Sequence, residues 1–187
     1  MNTRTRLAPV LLAATIVGGL ATTATAPAQA QPAAASSYYL KFNKSTNTNS
    51  TLSLMKSVSG PDKVIKKYRA GSGVSRDECA SLRGWLPTKT YKINKWYKTL
   101  DRDKIKGYAF HLNNATCKNG RTVRTDLFIH SEMTKNGGED RRDERWRWDG
   151  NSDYKSAGCI KLKPSDIKDL YKRGKALGFP KKLVVTN

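Results

Sequence analysis

Apolar and polar residues alternate in short bursts along most of the chain. Tyr39-Leu40-Lys41-Phe42 and Leu52-Ser53-Leu54-Met55-Lys56 come first, and Val64-Ile65-Lys66-Lys67-Tyr68 follows a Gly60-Pro61-Asp62 turn. Thr90-Tyr91-Lys92-Ile93 after Pro87, Tyr108-Ala109-Phe110-His111-Leu112, the run 123–130 and a terminal Leu183-Val184-Val185 continue the pattern. A period of two, bounded by Gly, Pro, Asn and Asp, is the mark of strands with one face buried. Near the C-terminus the period changes. Ile167, Leu170, Tyr171 and Leu177 recur at helical spacing. Pro164 suits a first helical turn, Lys172, Arg173 and Lys175 complement the negative end of the helix dipole, and Gly178 and Pro180 stop the helix. The pattern therefore predicts a mainly β domain with one helix packed on it directly after Cys159. Residues 134–154, with Gly137-Gly138, mixed charges and Trp146 and Trp148, read as a long loop of the kind that either caps a site or packs as a solvated insertion.

The N-terminus belongs to a different class. Arg4 and Arg6 precede an apolar stretch at 7–20, then a run of small residues that includes Ala28-Gln29-Ala30. A basic start, a short apolar stretch and an A-x-A site predict a secretory signal peptide over residues 1–30, too short for a membrane span of ~20 apolar residues. Residues 31–37 read as a disordered leader and residues 38–187 as one domain, expected to be a secreted, wall-associated monomer with no transmembrane segment once processed.

Charge and cysteines sharpen this picture. Lys and Arg number 35 against 15 Asp and Glu, a net charge of +20, of which the signal region carries only Arg4 and Arg6. Such an excess predicts attraction to polyanions, and anionic wall polymers are the expected partners outside a bacterial cell. No specific nucleic-acid partner is expected, and no glycine-rich phosphate loop or nucleotide fingerprint is present. Three cysteines in an exported chain imply one disulfide and one free thiol. Pairing Cys79 with Cys117, worth ~4 kcal/mol on chain-entropy grounds, leaves Cys159 over.

Two segments carry candidate chemistry: Asp126-Leu-Phe-Ile-His130-Ser131 and Ser156-Ala-Gly-Cys159-Ile-Lys-Leu162. A histidine ends a strand, and a cysteine sits in a Gly-Cys turn ahead of the helix. An ordinary thiol is only ~3% thiolate at neutral pH, so a nucleophilic cysteine needs a base, a role open to His130. Gly158 would let an acyl carbonyl approach the backbone, with amides around Gly158 and Cys159 as oxyanion donors. His111, in an apolar strand, reads as structural, and Arg141 and Arg142 as locally paired with the acids beside them. No zinc-ligand spacing and no cofactor motif is seen, so neither metal nor cofactor is expected.

The string I-H-S, then S-x-G-C-I-K-L and a helix, resembles the catalytic signature of the L,D-transpeptidase (YkuD-type) domain. Upstream, residues 84–93 are similar to the family's T-P-x-G-x-Y-x-I segment in Pro87, Tyr91 and Ile93. The resemblance implies a β-sandwich or barrel in which Cys159 is the nucleophile and His130 its base, with Ser131 orienting the imidazole through its backbone carbonyl. It implies that Ser156 and Gly158 shape the turn before the nucleophile and that Lys161 stands where the family has arginine or asparagine, able to hold a carboxylate. The substrate implied is a peptidoglycan stem peptide: Cys159 forms a thioester with a tetrapeptide stem, D-alanine leaves, and an amine takes the acyl group. Trp146 and Trp148 would flank the substrate channel or pack the loop. The chain departs from the pattern at Ala157, where many members have a second histidine, at Ser131 in place of glycine, and at Leu86 and Lys89. Its interval between His130 and Cys159 is also longer, through the 134–154 loop. Two alternatives stand beside this reading: an L,D-carboxypeptidase or related hydrolase using the same site, and a non-catalytic basic protein that binds wall polyanions.

Overall fold

The computed structural model describes residues 37–187; the signal peptide expected at 1–30, and all of the leader except Ser37, lie outside the described residues. Ten strands are described: β1 (Tyr38–Asn43), β2 (Ser50–Lys56), β3 (Lys63–Ser72), β4 (Thr90–Asp101), β5 (Lys106–Leu112), β6 (Ala115–Thr116), β7 (Val123–Arg124), β8 (Phe128–His130), β9 (Ile160–Leu162) and β10 (Lys182–Thr186). The helix α1 spans Pro164–Ala176. Eight strands close into a barrel in the order β1-β10-β4-β5-β8-β9-β3-β2, and β6 with β7 forms a separate two-stranded ribbon. Closure removes the open sheet edges that would otherwise invite edge-to-edge pairing.

Alternation fixes which face is inside. Leu40 and Phe42 of β1, Leu52 and Leu54 of β2, Tyr91 and Ile93 of β4, and Phe110 and Leu112 of β5 are fully or almost fully buried in one core. A slip of one residue in any of these strands would turn its apolar set to water, which pins the register. Helix α1 adds Ile167 and Leu170 to the same core, as its period predicts. It approaches β4 closely: a Cβ on Gly174 would lie 2.5 Å from the Trp96 ring. That ring is held by stacking on Phe110, centroids 3.8 Å apart, and by a hydrogen bond from Nε1 to the Pro180 carbonyl at 3.1 Å.

Three elements differ from the expected pattern. The run 123–130 is broken into β7 and β8 at Asp126, whose φ of 49° is a left-handed conformation that Asp tolerates better than most residues. A three-residue strand, β9, lies between Cys159 and α1, so the helix follows the cysteine by way of a strand. It pairs antiparallel with β3 and parallel with β8, and its single Ile-Lys-Leu alternation is too short to mark a strand in the sequence. The 134–154 loop contains two single 3₁₀ turns, Glu144–Trp146 and Ser152–Tyr154. The second follows a local clasp in which the Asp153 carboxylate accepts from the amides of Asp149 (2.7 Å) and Gly150 (2.8 Å).

The disulfide is Cys79–Cys117, with a sequence separation of 38 and Cα atoms 5.6 Å apart. It ties the irregular segment 75–88 to the β6–β7 ribbon. The outer face of the opposite wall is basic. Lys92 on β4 lies across from Lys182 on β10, and a register row runs from Val184 through Lys41 on β1 and Ser53 on β2 to Lys67 on β3. None of these four lysines forms an ion pair among the described residues.

Candidate active site

The parallel pairing of β8 with β9 assembles the site. Ile129 and Ile160 face each other into the core, while His130 lies opposite Lys161 on the outer face. Cys159 is two residues before Lys161 and therefore points to that same outer side. His130, Cys159 and Lys161 all line one cavity of about 580 Å³, with Ser156, Arg124 and Phe128 among its other walls. The rim carries the exposed Leu82 and Val123 from the two segments that the disulfide joins.

The turn leading into Cys159 is held by several hydrogen bonds. Ser156 Oγ accepts from the amides of Gly73 (2.9 Å) and Gly158 (3.0 Å) and donates to the Cys159 carbonyl (2.6 Å). Ser72 Oγ donates to the Gly158 carbonyl at 3.2 Å, and Arg124 Nη2 donates to the Ala157 carbonyl at 2.8 Å. Gly158 itself has φ of 127°, a backbone shape that only glycine adopts without strain. The Gly158 amide is thus committed to Ser156, so Ser156 builds the turn, and of the two amides expected as oxyanion donors this one is occupied.

His130 is buried, and its Nδ1 lies 3.1 Å from the Ser131 carbonyl. A carbonyl only accepts, so Nδ1 carries the hydrogen and Nε2 keeps its lone pair. Burial first, and the Lys161 ammonium second, push the imidazole pKa down to about 3, against a smaller upward pull from the Ser131 carbonyl. Cys159 is the free cysteine and is partly exposed to the cavity. Desolvation pushes its thiol up to about 11, while the Phe128 amide, Lys161 and Arg124 act in the opposite direction. The thiol donates to the Asp126 carbonyl at 3.6 Å; no hydrogen bond joins it to His130. At neutral pH the pair rests as thiol and neutral imidazole.

Lys161 is largely buried and paired with Glu132. Burial raises the Glu132 carboxyl pKa more than the lysine lowers it. Lys161 is therefore already paired, and any carboxylate it receives must compete with Glu132. Trp148 stands with its ring 5.9 Å from Lys161 Nζ and meets Tyr154 edge-on at 4.8 Å. Trp146 is buried within the loop, with Lys106 Nζ 4.7 Å from its ring. Neither indole is part of the cavity wall formed by Cys159 and His130. His111 stacks on Phe128 at 4.8 Å, and Arg142 pairs locally with Asp140 at 3.4 Å.

The chain matches the L,D-transpeptidase catalytic domain (YkuD) model over residues 38–182. It belongs to that family. Among solved structures, Bd1075 of Bdellovibrio bacteriovorus is similar with a TM-score of 0.53 at 17% identity, covering 81% of this chain and 48% of that one. The helical cell shape determining protein Pgp2 of Campylobacter jejuni is similar with a TM-score of 0.54 at 15% identity, again covering 81% and 48%. At these identities the likeness is one of fold, and the chain spans about half the length of those proteins. No curated protein matches.

Sequence reasoning missed Arg124, Glu132 and Ser72. Arg124 is one of 35 basic residues, and nothing local distinguishes it. Glu132, two residues beyond His130 in the bend after β8, was open to inference as an acid close in sequence to the strand that pairs with Lys161.

Proposed function

We propose that the chain is an exported peptidoglycan L,D-transpeptidase. The observation that carries this reading is a free cysteine and a buried neutral histidine opening on one cavity in a YkuD fold. His130 Nε2 removes the thiol proton as Cys159 Sγ bonds to the carbonyl at the L-centre of the stem diamino acid. A trans peptide sets its N–H opposite its C=O, so with the Gly158 carbonyl turned to Ser72 the Cys159 amide points the other way, and we assign it the oxyanion. Collapse of the adduct breaks the C–N bond. D-Alanine leaves with the proton held by His130, and a thioester remains. An acceptor amine then attacks the thioester, gives its proton to His130, and releases the sulfur. No cofactor enters this cycle.

Wall-directed work agrees with the cell-shape role named for Pgp2, and the lysine-bearing wall of β4, β10, β1 and β3 supplies a surface for anionic wall polymers. Purified protein lacking residues 1–30, incubated with tetrapeptide muropeptides, is expected to yield cross-linked dimers by mass spectrometry. Shortened monomers alone would identify a hydrolase using the same thioester. Cys159→Ala should abolish both products, and dimers from that variant would refute the assignment.

A further inference from the structure

A buried cation stands behind the nucleophile turn, and the mechanism above does not use it. Arg124 ends β7 and is only 5% exposed. Its guanidinium donates from Nη1 to the Glu78 carbonyl (2.6 Å) and from Nη2 to the carbonyls of Gly84 (3.3 Å) and Ala157 (2.8 Å). All three partners are neutral carbonyls, and no carboxylate pairs with Arg124 among the described residues. A buried charge without a counter-charge is costly, and such groups are retained where a developing negative charge uses them. Lys161 is matched by Glu132 and Arg102 by Asp126. Lys104, also in the cavity wall, is unpaired but exposed to water, so among the described residues Arg124 is the buried cation of the cavity that lacks a counter-charge.

The contact with the turn is close. A Cβ added to Gly158 would fall 2.1 Å from Arg124 Nη2, so the residue before the nucleophile is glycine both for its φ and to admit the guanidinium. Ala157, whose carbonyl Arg124 holds, is the position at which many family members have a second histidine. On the other side, Arg124 grips Glu78, the neighbour of disulfide-bonded Cys79, so the same side chain joins the cystine-anchored wall to the nucleophile turn.

We infer that Arg124 is a positioning residue for Cys159: it clamps the Ala157 carbonyl and keeps an unpaired positive charge in the wall of the cavity that contains the sulfur, favouring the thiolate. This deepens the transpeptidase reading and rests on Cys159 being the nucleophile. A simple structural pin between two loops is the competing explanation, and the two part company in the direction of one measurement. Losing a pin opens the cavity and leaves alkylation of Cys159 unchanged or faster. Losing the charge slows it.

The experiment is alkylation of Cys159 by iodoacetamide, in which the S–C bond forms, iodide leaves and the thiol proton passes to base, followed by intact mass from pH 6 to about 10. It needs no peptidoglycan, so it remains informative if the substrate assignment fails. Arg124→Gln is expected to react about tenfold more slowly at a given pH, one unit of upward shift in the thiol; an equal or faster rate in folded variant overturns the charge role. Arg124→Lys keeps the charge but cannot span three carbonyls. It should alkylate at nearly the wild-type rate while kcat on tetrapeptide muropeptides falls about tenfold with little change in KM. A wild-type kcat in this variant overturns the clamp, and this arm decides if the glutamine variant does not fold.

Discussion

His130 rests neutral because burial and Lys161 both disfavour its charged form, and that state has a thermodynamic cost in acid. The unfolded chain takes up a proton near pH 6.5, whereas the folded protein holds it off until about 3. Between those values the unfolded state binds more protons, so stability falls as pH drops, by about 1.4 kcal/mol per unit from this one group. Urea unfolding of wild type and His130→Gln at pH 7 and about pH 4 should show a flatter dependence in the variant; parallel curves would mean that the imidazole is not buried uncharged. Ser156 offers a second test at the same scale. Its hydroxyl serves the amides of Gly73 and Gly158 and the Cys159 carbonyl, and removing it leaves these groups unpaired. Ser156→Ala is expected to lose about 2–3 kcal/mol in chemical denaturation, and an unchanged midpoint would mean that water replaces the hydroxyl in the turn. The sequence made Cys159, His130 and the orienting Ser131 carbonyl legible, because each lies within a short motif. It could not show Arg124 or Ser72, whose roles come from chain segments more than thirty residues away in sequence.

At the level of elements, α1 approaches β4 closely at Gly174 and Trp96. Alanine is favoured over glycine by about 1 kcal/mol within a helix, so helix propensity alone predicts that Gly174→Ala stabilises. Packing predicts the reverse, since the added methyl would meet a Trp96 ring pinned by Phe110 and Pro180. Overpacking of this kind costs about 1–3 kcal/mol. Packing should win: the variant is expected to melt at lower temperature, with a change in tryptophan fluorescence, and a raised melting temperature would show that the helix can slide. The helix and most strands were readable because Ile167 and Leu170, or Leu40 and Phe42, repeat at one clear period. The strand β9 was not. One apolar-polar-apolar step, Ile160-Lys161-Leu162, is too short to establish a period, and the fold identifies it as a strand only through pairing with β3 and β8. The break in 123–130 was hidden for a related reason, since the left-handed turn at Asp126 interrupts an otherwise continuous strand-like run.

On the scale of the whole molecule, the excess of 35 basic over 15 acidic residues is not spread without pattern. In the closed barrel, β8 and β9 lie across from β1 and β10, so the outer face with Lys41 in one register row and Lys182 and Lys92 in another is turned away from the cavity with Cys159. Neighbouring strands are about 4.8 Å apart, and charges at that spacing reinforce one another only while the Debye length exceeds it. That length falls from ~10 Å at 0.1 M salt to ~3 Å at 1 M. A polymer of glycerol phosphate should therefore bind the protein at the lower salt and release it at the higher. Replacing Lys41, Lys92 and Lys182 together by glutamine should weaken binding several-fold at 0.1 M, measured by fluorescence anisotropy of labelled polymer, and leave Cys159 alkylation unchanged. Undiminished binding would place the contact elsewhere on the basic surface. A parallel loss of alkylation would mean that the two walls are not independent, and that anchoring and acyl transfer compete for one face of the barrel instead of dividing its two sides between them.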